Sequence, residues 1–163
     1  MQVSPDAEDF PLTPRVERTV GDQVFSTLYD LGASVRTQDE GGIIRFDVDG
    51  ALCTAAGSRE GGRIATSYRI AKESLEISVS APVGSRLVLP LIALRTERVQ
   101  QPSAESVTIA KQGGVVRVEA SGPLQLRDGG QSRVFNLVPG FLAVPLTVQI
   151  EDPRPVVCTL RVG

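Results

Sequence analysis

Four Gly-Gly pairs punctuate the chain, at residues 41–42, 61–62, 113–114 and 129–130. Each pair follows a polar stretch and precedes a segment rich in branched apolar residues, such as Val115–Val118. Because glycine reaches positive φ without a steric penalty, this arrangement is typical of tight turns between β-strands. It predicts exposed loops near residues 39–42, 58–62, 111–114 and 128–130. The intervals between pairs are 20, 52 and 16 residues, which disfavours a propeller or a solenoid.

Apolar and polar residues alternate with period two along several segments. Within Arg63–Ala81, two alternating runs flank a polar turn at Lys72 and Glu73, which predicts an antiparallel hairpin with one solvated face. The segment Leu142–Ile150 alternates in the same way, and the pattern places Thr147 and Gln149 on its outward face. These segments predict antiparallel pairing rather than a parallel sheet, whose strands are apolar on both faces.

Two other segments carry mixed signals. Arg86–Leu94 is almost continuously apolar, which predicts a strand buried on both faces, with an edge, a bulge or a break at Pro90. Asp22–Leu31 has apolar residues at helical spacing, but it also has residues that favour strands. A strand is the favoured interpretation because the segments around it are β.

The sequence therefore predicts an all-β fold, a single antiparallel β-sandwich of about ten to twelve short strands. A barrel remains an alternative because strand order cannot be read from the pattern. Residues 1–15 are acidic and rich in proline and are interpreted as an extended lead-in or linker, with the sandwich domain over 16–163. Strands are also predicted at Val16–Val20, Ile43–Val48, Ser106–Ala110, Val115–Glu119, Leu124–Arg127, Arg133–Val138 and Val156–Val162.

Composition excludes several classes of function. The chain has no histidine, which excludes Ser-His-Asp and Cys-His catalysis and histidine metal sites. The net charge of −2 disfavours nucleic acid as a partner, and the longest apolar run, Leu87–Leu94, is too short to cross a membrane as a helix. Arginine supplies all but two of the 17 basic residues. Codon bias is the favoured explanation, and recognition of carboxylate or sulfate groups is the alternative. No signal peptide is visible, so the localisation stays open.

Three sets of residues are candidates for chemistry. Asp47 and Asp49 share one strand face and, with Asp39 and Glu40 across a hairpin, would form an oxygen-rich site for Ca²⁺. A solvated strand face is the favoured alternative, and no other cofactor is expected. The glycine pairs lack the helix that a phosphate-binding loop requires, so they are interpreted as turns. Cys53 and Cys158 are interpreted as buried free thiols, with a disulfide as the alternative.

Two stretches resemble the C-terminal β-sandwich of polysaccharide lyases of the heparinase II/III and chondroitin lyase type. One comprises Thr66–Ile70, Leu75–Val79 and Leu87–Leu91, and the other is Arg133–Phe141. In such enzymes a helical toroid supplies much of the catalytic site, so the resemblance implies a non-catalytic sandwich that helps to wall the substrate cleft. It implies no catalytic residue in this chain.

Three functions follow from the sequence. The first is a non-catalytic accessory domain of a carbohydrate-active enzyme such as a polysaccharide lyase, with carbohydrate or another domain of a larger protein as partner. Secretion or a periplasmic location would accompany that function. The second is a protein interaction or self-assembling module, which many short strands with few aromatic residues suit equally well. The oligomeric state stays open. The third is a small enzyme that uses carboxylates or Ca²⁺ at Asp47 and Asp49.

Overall fold

A computed structural model describes residues 13–94, 96–126, 133–134 and 140–163 of the chain. These residues form 14 β-strands and one 3-10 helix, Thr27–Tyr29, and they contain no α-helix. None of the described helical structure is long or apolar enough to cross a bilayer. The strands are β1 Arg15–Val20, β2 Gln23–Ser26, β3 Ser34–Asp39, β4 Ile44–Cys53, β5 Arg59–Ala71, β6 Ser74–Ser80, β7 Arg86–Leu94, β8 Val99–Ser103, β9 Ser106–Lys111, β10 Gly114–Ala120, β11 Leu124–Leu126, β12 Arg133–Val134, β13 Phe141–Gln149 and β14 Val156–Val162.

All strand pairs are antiparallel and belong to one long sheet, in the order β11-β13-β7-β1-β2-β4-β5-β6-β14-β10-β9-β8. Strand β12 lies beside β13 and β3 beside β4. The two ends of the order meet, because the Gln101 side chain donates to the Leu124 carbonyl at 2.8 Å. The Leu124 amide also donates to the Ala104 carbonyl at 2.7 Å. The sheet is therefore nearly closed and sandwich-like, which confirms the predicted all-β class.

One hydrophobic core lies between the two halves of the sheet. The series from β11 to β2 joins the series from β4 to β8 through a single residue pair, Ser26 and Cys53. Both series contribute fully buried side chains to the same cluster, for example Leu87 and Leu146 from the first series and Ile64 and Ile77 from the second. Burial of each such side chain contributes roughly 1.5–3 kcal/mol. This shared core makes the described strands one folded unit.

The hairpin predicted over Arg63–Ala81 is confirmed as strands β5 and β6. Tyr68 faces Ile77 across the hairpin and packs against the core, where burial raises the pKa of its phenol. The ambiguous segment after Asp22 forms β2, and Ser26 then caps the 3-10 helix by accepting a hydrogen bond from the Leu28 amide at 3.1 Å. The preference for a strand is thus correct for the first half of that segment.

Pro90 lies inside a continuous strand, and its partner in β13 is Pro145. Since neither residue has an N–H group, this pair is of the non-hydrogen-bonded kind, and the neighbouring leucines carry the ladder. On the other side of β7, strand β1 pairs only with Arg86–Val88. Pro90 therefore lies beyond the end of β1, which agrees with the predicted edge position.

Several local predictions differ from the structure. Strands β3 and β8 were not predicted, because their sequences are polar and, in β8, contain a proline. Thr147 is buried rather than outward-facing, whereas Gln149 is exposed as expected. The pairs at 41–42 and 113–114 form the β3–β4 and β9–β10 turns, as predicted. The pair at 129–130, residues 135–138 of a predicted strand and residues 1–12 of the predicted lead-in lie outside the described residues.

Three charged residues that no sequence pattern marks form a buried ion cluster on β1 and β7. Glu17 accepts hydrogen bonds from Arg15 at 2.5 Å and from Arg86 at 2.8 and 3.0 Å. Burial raises the pKa of the Glu17 carboxyl, but the hydrogen bonds from Arg86 and Arg15 outweigh it, so the pKa lies below its usual value. This cluster therefore links β1 to the neighbouring strand β7.

Both cysteines are free and buried, on β4 and β14. Burial raises the pKa of the Cys158 thiol to about 12. The structure therefore supports the interpretation of the cysteines as small hydrophobic residues rather than as a disulfide.

Candidate functional site

The glycine pair at 61–62 is a bulge inside β5 rather than the predicted turn. In the β4–β5 ladder, Gly50 faces Ile64, but Leu52 already faces Glu60. Three residues of β5 thus oppose one residue of β4, Ala51. Bulges of this kind bend a strand and occur often beside functional sites. The loop prediction for residues 58–62 was wrong about the turn, although most of these residues are exposed.

Only glycine fits the second position of the bulge. Gly62 has a φ of +122°, and a Cβ built on it would lie 2.6 Å from Cγ of Pro82. Gly61 differs, because a Cβ at that position meets no heavy atom within 4 Å. One glycine of the pair therefore sets the backbone, and the other leaves open space above it.

An open pocket lies beside the bulge and is called the bulge pocket below. Its volume is about 510 Å³, within the range of small-ligand sites, and its lining residues are Gly50, Ala51, Arg59, Glu60, Gly61, Gly62 and Arg63. The side chains of Arg59 and Arg63 are 64% and 73% exposed, so both guanidinium groups face solvent at its rim. The pocket thus combines exposed backbone with two planar cations.

A buried aspartate holds the β4 side of the bulge pocket. The Asp30 side chain is 4% exposed and accepts hydrogen bonds from the Ala51 amide at 2.7 Å and the Gly32 amide at 3.0 Å. Its carboxylate also lies 3.9 Å from Nη2 of Arg59, beyond hydrogen-bond distance. Asp30 therefore anchors the bulge without occupying the Arg59 donors.

The predicted calcium ligand Asp49 lies next to the bulge pocket, but it is bound by arginines. Arg63 donates two hydrogen bonds to Oδ1 of Asp49, at 2.9 and 2.5 Å. Arg36 donates to Oδ2 at 3.1 Å. Asp49 thus fixes the orientation of the Arg63 guanidinium, a role that sequence spacing did not suggest.

Asp47 also has an arginine partner, since Arg45 donates to it at 3.0 Å. Burial raises the pKa of Asp47, but hydrogen bonds from Ser67 and Arg45 outweigh this effect and lower the pKa overall. Asp39 faces Ile44 at the other end of the β3–β4 ladder, where it accepts a hydrogen bond from the Gly41 amide. Within the described part of the chain, no three acidic or cysteine side chains are grouped to hold a metal. The calcium site stays a prediction.

The two faces of the sheet from β3 to β6 differ in chemistry. Asp47, Asp49, Ser67 and Arg69 lie on the outer face, where register also aligns them with polar residues of β3 and β6. The opposite face of these strands continues into the hydrophobic core, but an apolar strip on it is only partly buried. Val35 at the end of this strip is 60% exposed. The apolar strip comprises Val35, Ile44, Phe46, Val48 and Ile70.

The domain thus combines a polar outer sheet face with an open pocket that is rimmed by two arginines. Comparison with known proteins identifies the class. The family model described as the ulvan lyase C-terminal domain matches residues 1–163, and the chain belongs to this family. The predicted C-terminal domain of a polysaccharide lyase is thereby confirmed, and the family shown is that of the ulvan lyases.

One curated relative is the broad-specificity ulvan lyase of Formosa agariphila. It is 32% identical to this chain over 151 residues, which cover 88% of the chain and 24% of the relative. The chain thus spans about a quarter of the length of that lyase. The matched portion is therefore one part of a larger protein in the relative.

Proposed function

We propose that this chain is a non-catalytic accessory domain of a polysaccharide lyase. The family match over the whole chain carries this proposal. Two further observations support it. The sequence has no histidine to act as a general base, and Tyr68 is half-buried against the core with a raised pKa, unlike a tyrosine poised to take a proton. That the sandwich is of the heparinase II/III and chondroitin lyase type stays a prediction.

An activity assay tests the non-catalytic role. Lyases that eliminate across a uronic acid create a conjugated double bond, which ultraviolet absorbance detects. We expect the purified chain alone to give no absorbance increase with ulvan, while the Formosa agariphila relative serves as the positive control. A steady increase in absorbance with the isolated chain would contradict the proposal if it persists after contaminating lyases have been excluded.

The same proposal assigns a partner to the apolar strip. A sheet face that is apolar yet open to solvent marks an interaction surface, and in the relative about three quarters of the polypeptide lies outside the match. We propose that the rest of the lyase packs on this strip. The interface would be modest in area, because the strip involves only strands β3, β4 and β5.

A binding experiment separates this partner from self-assembly. The isolated chain should be a monomer by light scattering and should form a one-to-one complex with the remainder of a lyase that carries this domain. Ile44→Ser should weaken the complex, whereas Val115→Ser should not, since Ile44 and Val115 are 44% and 43% exposed but only Ile44 belongs to the strip. A dimer of the isolated chain that Ile44→Ser dissociates would instead favour the self-assembling module.

A further inference from the structure

We propose that the bulge pocket binds an acidic sugar unit, whose carboxylate or sulfate group is held by Arg59 and Arg63. This inference rests on the proposed function for the nature of the polymer, but its geometry comes from the structure alone. Planar guanidinium groups match the paired oxygens of carboxylate and sulfate groups, and a rim with two of them selects an anion over a neutral sugar.

Charge around the bulge pocket favours an anion. The charged residues that line it are Arg59, Arg63 and Glu60. Ion pairs link these three to Arg18, Arg36, Asp30 and Asp49, so the charged network contains four arginines and three carboxylates. The difference is one positive charge. Asp49 is shared by two arginines, and Asp30 bonds to backbone amides. Glu60 accepts from Arg18 at 2.6 Å through Oε1, and its buried Oε2 has no partner, whereas the Arg59 and Arg63 side chains are 64% and 73% exposed. The excess charge therefore resides at the rim.

Arg59 is the side chain with donors to spare. Its guanidinium group carries five N–H donors, and its acidic neighbour, Asp30, lies at 3.9 Å. Arg63 is different, because two of its donors are held by Asp49. Arg63, whose side chain is 73% exposed, thus provides a fixed cation with N–H groups left for a ligand, and Arg59 provides an adaptable one. A pre-oriented cation binds an anion with less loss of side-chain freedom.

Gly61 gives the ligand room to approach the strand. With nothing within 4 Å of its Cβ position, a sugar ring can lie against the backbone of the bulge between the two arginines. The neighbouring Gly62 and Pro82 fix that backbone from the other side. A side chain placed at Gly61 would fill the space without the clash that Gly62 would suffer.

Matched substitutions test the proposal. Arg59→Ala removes the free cation, and Arg161→Ala is its control, because both side chains are 64% exposed but only Arg59 lines the pocket. Gly61→Leu fills the pocket, and Gly113→Leu is its control, since no heavy atom lies within 4 Å of a Cβ at either glycine and neither has a positive φ. Thermal unfolding of all four variants verifies that they are folded.

Binding is measured by titrating the isotope-labelled chain with oligosaccharides in an NMR experiment. The probes are a uronate oligosaccharide without sulfate, a sulfated oligosaccharide without uronate, and a neutral oligosaccharide of equal length. We expect at least one acidic probe to shift the amides of residues 59–63, the neutral probe to shift none, and the stronger acidic probe to identify the preferred group. Arg59→Ala should weaken binding about fivefold, in the range measured for exposed ion pairs. Gly61→Leu should abolish it.

The outcomes separate this proposal from the accessory function. Absence of shifts with every probe, or equal weakening by the two control variants, overturns the bulge pocket as an acidic sugar site. Neither result would change the accessory role, which depends on the activity assay. Cleavage of polysaccharide by the isolated chain would overturn the accessory role while leaving the binding result intact.

Discussion

Substituting each of the two bulge glycines by alanine tests whether their different backbone geometries affect the stability of the domain. Gly62 has a φ of +122°, which L-residues adopt at a cost of about 1–3 kcal/mol. The new Cβ would also lie 2.6 Å from Cγ of Pro82, so the proline or the strand must shift, at a further cost of about 1–3 kcal/mol. Loss of freedom in the unfolded chain offsets about 0.4–1 kcal/mol of this.

We therefore expect Gly62→Ala to lower the free energy of unfolding by about 2–4 kcal/mol, which corresponds to a fall in melting temperature of roughly 5–15 °C for a domain of this size. Gly61→Ala is the control within the same bulge. Its Cβ meets nothing within 4 Å and its φ is not positive, so its stability should stay within about 1 kcal/mol of the parent chain.

Chemical denaturation followed by circular dichroism measures both variants. Equal losses of stability in Gly61→Ala and Gly62→Ala would refute the reasoning, because they would mean that the bulge does not distinguish the two positions. A neutral Gly62→Ala would refute it as well. Confirmation would show that a glycine pair which reads as a turn signal is required for a register shift within a strand.

Three further predictions concern buried and acidic groups. Glu17→Gln should destabilise the domain by about 3 kcal/mol at pH 7, because it removes the shared carboxylate of a buried ion cluster. Since the folded pKa of Glu17 is depressed, its contribution is present above the unfolded pKa and is lost as pH falls through the folded value, so the difference in stability between the parent chain and Glu17→Gln should shrink in acid. Denaturation curves from pH 7 to pH 3 measure both effects, and parallel curves would contradict them. Cys158, with its pKa raised to about 12, should resist a thiol reagent at pH 8 in the folded chain, and two thiols should react after denaturation without reductant. Titration of fewer than two would indicate a disulfide with Cys53. Calorimetry with Ca²⁺ tests the predicted site at Asp47 and Asp49: arginines must be displaced first, so we expect binding no tighter than about millimolar, lost in Asp49→Asn. Micromolar binding would show that the arginine contacts do not protect the carboxylates.

Local patterns predicted much of the fold because burial alternates along a strand. The β5–β6 hairpin shows this clearly. Tyr68 on β5 and Ile77 on β6 each belong to a set of residues with period two, and both side chains pack against the core. The turns at 41–42 and 113–114 followed from glycine alone. Strands β3 and β8 escaped prediction because exposed edge strands need no apolar alternation, and their neighbours supply the hydrogen bonds.

The candidate site shows the limit of local pattern. Asp47 and Asp49 were selected as calcium ligands because they share a strand face, which is correct, but the arginines that bind Asp49 come from two other strands. Arg59 and Asp30 drew no attention, since nothing in their immediate sequence marks them. A glycine pair within an alternating stretch was the one signal of a bulge, and it is also the signal of a turn.

Composition and period-two alternation are properties of each segment, so they were enough to predict an antiparallel all-β domain without histidine chemistry. They could not predict where the sheet closes, that Gly61 and Gly62 form a bulge, or which arginines are exposed at the pocket rim. Register and ion pairing depend on strands far apart in the chain, whose relative placement is set by packing of the shared core.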